Sequence, residues 1–313
     1  MSRISKDIVE FFPAPAHKNR FHIWGTGFWH DLFGWLPLLI LTAIAWIFRN
    51  AVPSWVFMWT MALALFFGCK WLTWWQCPVN DAAMWRHWAY LFAWPGMDAS
   101  AFLDPHRHAP RPELREWIAA MLKTFFGAAM VWEFAKLAPE PLLMGWSGLI
   151  GCVFLLHFGT FHLLALGWQA LGADAQPIMR APILAKSLAE FWGVRWNAAF
   201  NLLVHKLIFR KLFRHVGVIG ATLAVFFVSG LIHDLLLSIP ARGGYGLPTL
   251  YFLLQGLGLC LENWKPVKKW TQGHPLAHRS FTIAVTAIPA FWLFHPPFIR
   301  NVILPMLHAI GAT

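Results

Sequence analysis

VFFVSGLIHDLLLSI (Val225–Ile239) is the stretch on which the reading of this chain turns. Only Ser229, His233, Asp234 and Ser238 interrupt an otherwise aliphatic and aromatic run, so a helix made of it asks for lipid rather than water over most of its surface. Similar runs recur along the chain. The 313 residues are 58% hydrophobic and only 12% charged, with 21 Trp and 28 Phe, whereas a soluble domain carries about 25% charged residues. Several runs reach the roughly 20 residues that cross a bilayer as helix. Closed barrels, the other spanning solution, show alternating segments of about ten residues; these runs are continuous. The expected fold class is therefore all-α, a polytopic membrane protein with about seven to eight transmembrane helices plus interfacial or re-entrant helices.

Spans are expected near 32–48, 54–75, 116–134, 144–168, 216–239, 247–263 and 280–296, with a short segment at 298–312 that re-enters after "HPP". Pro53, Pro141, Pro240 and Pro248 punctuate their ends, as helix breakers do. Residues 1–30 begin mixed and polar, without the apolar core of a cleavable signal, and read as an N-terminal interfacial segment. With the N-terminus inside, 19 of the 25 Lys and Arg fall in inner segments and four in outer loops. That asymmetry predicts a cytoplasmic N-terminus, in a bacterial inner membrane or an ER-type membrane. The net charge of +11 follows mainly from the same asymmetry and from attraction to anionic headgroups; recruitment of an anionic substrate by the inner face is the sharper alternative. The basic residues are spread over membrane loops and match no DNA- or RNA-binding motif, so nucleic acid is not an expected partner. Without an internal repeat or long hydrophilic insertion, residues 1–313 read as one multi-pass domain. The four Cys form no CxxC, which points to packing rather than disulfides or metal. The loop 76–115 is too aromatic for a linker and is expected to pack on the membrane surface.

An ionisable side chain inside a span needs a partner or a task. Lys70, Lys123, Glu133 and Glu262 lie near expected span ends, where snorkelling is enough. His157 and His162, five residues apart, point about 140° from one another on a helix; they fit hydrogen-bonded bundle residues, with a substrate-lining role for His157 as the alternative. His233 has Ser229 four residues before it on the same face, and Gly230, four before Asp234, lets another helix approach closely. A neutral imidazole in a dry cavity can take the proton of a substrate hydroxyl, and an imidazole that simply packs one helix against another fits equally. Upstream, "SLAEFWGVRWNAAFNLLVHKLIF" is amphipathic and basic, with Asn197, Asn201 and His205 every four residues as one polar stripe. It reads as a helix lying at the membrane interface or dipping into it. An Asn amide there could donate to a carbonyl gaining negative charge, or the stripe could merely face water.

These residues resemble a known family. "FWGVRWN" (Phe191–Asn197) followed by "FFVSGLIHD" (Phe226–Asp234) is similar to the wax synthase-like branch of the membrane-bound O-acyltransferases (MBOAT). So are "YLFAWPGMD" (Tyr90–Asp98), "HFGTFHLLALGW" (His157–Trp168) and "GLPTLYFLLQGLGLCLE" (Gly246–Glu262). The resemblance covers roughly residues 85–300, and the ordered pair "FW-x-x-RWN" and "SG-x-x-H" is its specific part. It implies an enzyme that moves an acyl group from acyl-CoA, as co-substrate, to a hydroxyl, with no tightly bound cofactor and no metal. It places the general base on His233 and the residue that positions the thioester or stabilises its oxyanion on Asn197. Where the family has Glu after the His, this chain has the shorter Asp234, given a supporting role. Arg195 matches the motif's second Arg and is assigned to a CoA phosphate; the first Arg is replaced by Val194. Trp192 and Trp196 are expected to wall the acyl channel, and Asn201, Ser229, His157 and Gln255 to contribute to substrate binding. The implied partners are acyl-CoA, a lipophilic alcohol and membrane lipids, and a homo-oligomer is compatible with the sequence. Two other classes share features with this sequence. A di-iron oxidase needs several clustered boxes such as HxxxH and HxxHH, and the 15 His form only a lone HxxxH, His274–His278, with no HxxHH. A transporter or non-catalytic lipid-binding protein would use His233 as a proton relay.

Overall fold

The computed structural model describes residues 27–313 apart from Asn80; the expected interfacial segment 1–30 lies, as far as residue 26, outside them. Every regular element among the described residues is a helix. The principal ones are α1 (Phe28–Ile47), α2 (Ser54–Trp75), α3 (Met84–Ala93), α4 (Leu114–Leu137), α5 (Pro141–Ala170), α6 (Ala198–Ala241), α7 (Leu247–Glu262) and α8 (Pro275–Ala287). Two compact units divide them, one of residues 179–298 and the other of residues 27–178 with 299–313.

Five helices among the described residues are long and apolar enough to cross a bilayer, six if the broken pair Pro275–Leu293 and Pro296–Ala309 counts as one. The sequence expectation of seven to eight counted 247–263 as a span. That run folds as the 16-residue α7, roughly 24 Å long, against a hydrocarbon core of about 30 Å. By length and composition it is a short apolar helix rather than a full crossing.

In the unit of residues 27–178 and 299–313, the aromatic loop folds. Tyr90 of α3 and Phe102 of the one-turn helix Ala99–Leu103 are fully buried with Trp94 and Ala165, while Met84, Trp85, Trp88 and Phe92 are exposed. One face packs and the other is apolar and uncovered, the pattern of a helix lying in a membrane interface. Lys70 does not snorkel as expected. It is fully buried, its Nζ donates to the Gly96 carbonyl at 2.6 Å, and it sits 3.1 Å from the centre of the Tyr90 ring. The carbonyl accepts from the Lys70 nitrogen and the ring face covers it, so a polar group that cannot reach water is still satisfied.

In the unit of residues 179–298, α6 is 44 residues long, roughly 66 Å, twice what a bilayer takes. The chain breaks it at Gly217, whose φ of 71° and ψ of −176° interrupt the helix; a side chain there would meet the left-handed penalty that glycine avoids. The part after the break, 218–241, matches the expected span 216–239. The part before it, 198–216, contains only the end of the expected interfacial stretch, which is not one helix. Phe191–Arg195 is a π turn, Trp196 is extended and Asn197 is left-handed with φ 44° before α6 begins. Asn tolerates that conformation, and its side chain replaces a helical partner by capping α6. The four-residue polar stripe is therefore interrupted at its first member.

Candidate functional site

His233 closes the regular part of α6, and a π turn, Asp234–Ser238, follows. Its Nδ1 lies 2.7 Å from the carbonyl oxygen of Ser229. A carbonyl only accepts, so Nδ1 carries the proton and Nε2 is left with a lone pair. The Phe252 ring of α7 lies 4.4 Å from the imidazole, centre to centre. Ser229 is buried, and its own hydroxyl donates to the Val225 carbonyl at 2.8 Å. What Ser229 gives His233 is thus its main-chain oxygen.

Asp234 faces elsewhere. Its Oδ1 accepts from Ser238 Oγ at 2.8 Å and from the Gly246 N–H at 2.8 Å. Its Oδ2 accepts from the Thr249 N–H at 3.1 Å and from the Thr249 hydroxyl. The carboxylate caps the N-terminus of α7, where first-turn N–H groups lack helical partners and negative charge is favoured. The approach of α6 to α7 depends on Gly230: a Cβ there would fall 2.6 Å from Thr249 Cα. Cap and close approach together place Phe252, one turn beyond Thr249, against His233.

The segment bearing Asn197 is tied down at many points. The buried Glu262 carboxylate, at the end of α7, accepts from the N–H groups of Leu188 (2.8 Å) and Ala189 (3.1 Å) and pairs with His278 Nε2 at 2.6 Å. It too was expected to snorkel; instead it satisfies the start of the 188–190 turn. Arg195 donates from Nε to Glu190 at 2.7 Å and from Nη1 to the carbonyls of Arg180 (2.9 Å) and Ala181 (3.3 Å), and its Nη2 pairs with Glu190 at 2.6 Å. Burial alone would push the Glu190 carboxyl up, but the Lys186 N–H and the Arg195 guanidinium outweigh it and hold it below the usual carboxylate value. All three guanidinium nitrogens are thereby committed within the chain.

Asn197 uses one end of its amide. Oδ1 accepts from the Phe200 N–H at 3.1 Å, capping α6, and Nδ2 makes no hydrogen bond among the described residues. Asn201 Nδ2 donates to the carbonyls of Trp192 (3.0 Å) and Gly193 (2.6 Å). Gln255, fully buried, accepts from Trp192 Nε1 at 3.3 Å and donates to the Val285 carbonyl at 2.7 Å. Both hold Trp192, whose ring lies 5.7 Å from Phe226, 5.7 Å from Phe252 and 6.4 Å from Trp196. The half-buried Asn197 and His233 are not hydrogen-bonded to each other; ring contacts run from His233 through Phe252 and Trp192 to Trp196, the neighbour of Asn197. His157 belongs to the other unit, in the π turn Phe154–Thr160, where its Nδ1 is buried without a hydrogen-bond partner.

Sequence reasoning missed Phe252, Thr249 and the capping role of Glu262. Thr249, in the first turn after Pro248, is a cap-compatible residue in sequence. Phe252 carries no signal that separates it from 27 other phenylalanines.

Comparison with known proteins finds the same region. Residues 175–254 match the membrane bound O-acyl transferase family. The chain is 33% identical over 179 residues to the probable long-chain-alcohol O-fatty-acyltransferase 2 of Arabidopsis thaliana, covering 50% of this chain and 51% of that protein. It is 31% identical over 222 residues to the long-chain-alcohol O-fatty-acyltransferase of Simmondsia chinensis, covering 63% and 60%. With the acyl-CoA–sterol O-acyltransferase 1 of Arabidopsis thaliana it shares 29% over 202 residues, covering 58% and 56%. The chain thus spans about half to three-fifths of the length of these relatives. The resemblance read from Phe191–Asn197 and Phe226–Asp234 is borne out, since both stretches fall inside the matched residues and two of these relatives are named long-chain-alcohol O-fatty-acyltransferases. The match to a membrane-bound family and several candidate spans make this an integral membrane protein.

Proposed function

We propose that this chain, similar to the membrane bound O-acyl transferases along residues 175–254, moves a fatty acyl group from acyl-CoA to the hydroxyl of a lipophilic alcohol, as a wax ester synthase does. The observation that carries this reading is the 2.7 Å hydrogen bond between His233 Nδ1 and the Ser229 carbonyl. It fixes the tautomer with Nε2 as acceptor, the form a general base needs. The relatives' names support a long-chain alcohol as acceptor, and one of them keeps a sterol hydroxyl in view.

The reaction is a direct transfer. His233 Nε2 takes the proton of the alcohol, and the alcohol oxygen forms a bond to the thioester carbonyl carbon. The charge that develops on the carbonyl oxygen meets the unspent Nδ2 donor of Asn197. The carbon–sulfur bond then breaks, and the departing thiolate takes the proton from the imidazolium, giving the ester and CoA. Asp234 acts by holding α7, and so Phe252, against the base. Arg195 keeps the 180–197 segment in shape, while Trp192 and Trp196 offer apolar wall to the acyl chain. With the N-terminus cytoplasmic, the basic inner segments suit a polyanionic donor, and acyl-CoA is a co-substrate rather than a bound cofactor.

The test is CoA release by the purified protein given acyl-CoA and a long-chain alcohol, with ester formed in equal amount. His233→Ala abolishes release in this scheme. Release at the wild-type rate by that variant refutes the assignment.

A further inference from the structure

Glu262 is the last acidic residue of the chain, and no Asp or Glu follows it. The stretch "NWKPVKKWTQGHPLAHR" (Asn263–Arg279), which joins α7 to α8, therefore carries only positive charge. It contains the short helix Lys265–Gly273. Lys265, Lys268 and Lys269 share one face of that helix by their spacing, and Lys265 and Lys269 are exposed. Thr271, off that face, is buried. A large apolar side chain stands out on either side of the helix: Trp264 is 57% exposed and Leu276 is 80% exposed.

A second segment lies beside this one. Arg279 donates from Nη2 to the Ile183 carbonyl at 3.2 Å, and the Glu262 carboxylate holds the Leu188 and Ala189 N–H groups together with His278. These bonds bring the turn at residues 182–188 alongside the end of α7 and the start of α8. Its Ile183 and Leu184 are 74% and 52% exposed. Four uncovered apolar side chains thus share one region with three lysines, the make-up of a surface that enters a lipid interface. Both segments belong to those expected on the cytoplasmic side, where the leaflet is anionic and attracts clustered lysines.

We infer that this region docks into a layer of anionic phospholipid headgroups and that the docking raises turnover. The lysines alone suit either of two polyanions, the lipid surface or acyl-CoA. The apolar side chains decide between them, because they are spread over both segments and need an extended apolar phase to cover them. The link to turnover rests on the acyltransferase reading above. Glu262 is shared between three elements: it ends α7, accepts from the N–H groups that open the segment leading to Asn197, and pairs with His278 in α8. A lipid surface that seats the 182–188 turn and the Lys265–Gly273 helix together favours the state in which this three-way contact is closed, by the binding energy it gains there. Asn197 lies at the far end of the segment so pinned.

The experiment places the full-length protein in nanodiscs of phosphatidylcholine alone or of phosphatidylcholine mixed with phosphatidylglycerol. CoA release is measured with acyl-CoA and a long-chain alcohol, for the wild type and for the double variant Lys265→Gln/Lys269→Gln. In parallel, an uncharged amine-acylating reagent labels the wild type, and modification of Lys265 and Lys269 is read by mass spectrometry. The wild-type kcat is expected to be about fivefold higher or more in the mixed discs, the attraction of a single lysine for an anionic surface, and labelling of both lysines to fall by a similar factor. The double variant is expected to show, in either disc, the kcat of the wild type in phosphatidylcholine, with the wild-type KM for acyl-CoA. Equal wild-type kcat or equal labelling in the two discs, or a variant that still responds to phosphatidylglycerol, overturns the inference while leaving the acyltransferase reading in place. So does a variant whose KM for acyl-CoA rises in phosphatidylcholine discs, which assigns the lysines to the donor. A wild type that releases no CoA in either disc overturns the acyltransferase reading, and labelling alone then decides the docking: protection by phosphatidylglycerol upholds it and equal labelling overturns it.

Discussion

Asn197 has two separable tasks in this structure, and one substitution divides them. Its Oδ1 caps α6 at 3.1 Å from the Phe200 N–H, and its backbone is left-handed with φ 44°. Its Nδ2 is the group assigned to the developing oxyanion. Asn197→Asp keeps an acceptor for the cap and a residue that tolerates the left-handed region, but it replaces the donor with a second acceptor bearing negative charge. Loss of one oxyanion donor costs about 10²–10³ in kcat, and the added charge deepens the loss. Stability should stay within about 1 kcal/mol of wild type, since the cap survives. Asn197→Ala loses the cap, about 1 kcal/mol, and forces a Cβ residue into the left-handed region, about 1–2 kcal/mol more; Asn197→Gly loses only the cap. The assay pairs CoA release under saturating substrates with thermal unfolding of the same preparations. The expected order of activity has Asn197→Asp no more active than Asn197→Ala, while in unfolding temperature it stands with the wild type. Wild-type turnover by Asn197→Asp would refute the donor role, and an unfolding temperature as low as that of Asn197→Ala would refute the cap.

Two further perturbations probe the frame around His233. Asp234→Ala leaves the Gly246 and Thr249 N–H groups and two hydroxyls without their shared acceptor and should destabilise the protein by about 3 kcal/mol, seen as a lowered unfolding temperature; unchanged stability would mean that the cap on α7 is dispensable. Gly230→Ala places a Cβ against the Thr249 main chain and pushes α7 away from α6, so kcat should fall at least tenfold by displacing Phe252 from the base while KM for either substrate changes little. Full activity in that variant would show that the close approach does not position the imidazole.

The resemblance carried by Phe191–Asn197 and Phe226–Asp234 located the region that matches the family, and Gly230 was legible as a close-approach residue from its spacing alone. Other parts were not legible. Lys70 and Glu262 sat near expected span ends and read as snorkelling residues, yet both are buried, because a carbonyl 26 residues away and two N–H groups more than 70 residues away satisfy them. Asp234 read as a partner for its neighbour His233, yet its oxygens turn to Thr249 and Gly246. The polar stripe Asn197–Asn201–His205 presumed one helix through residues where the chain is left-handed.

What the sequence by itself determined is the helical, membrane-embedded class and the approximate place of each apolar run, since hydropathy and charge are sums over short windows, and lipid answers to those sums residue by residue. What only the tertiary structure decided is which polar atoms are already spent and which are left over: Nε2 of His233 and Nδ2 of Asn197. In a medium without water each buried polar atom must find a partner, and a partner that lies tens of residues away is fixed by packing that no local window contains.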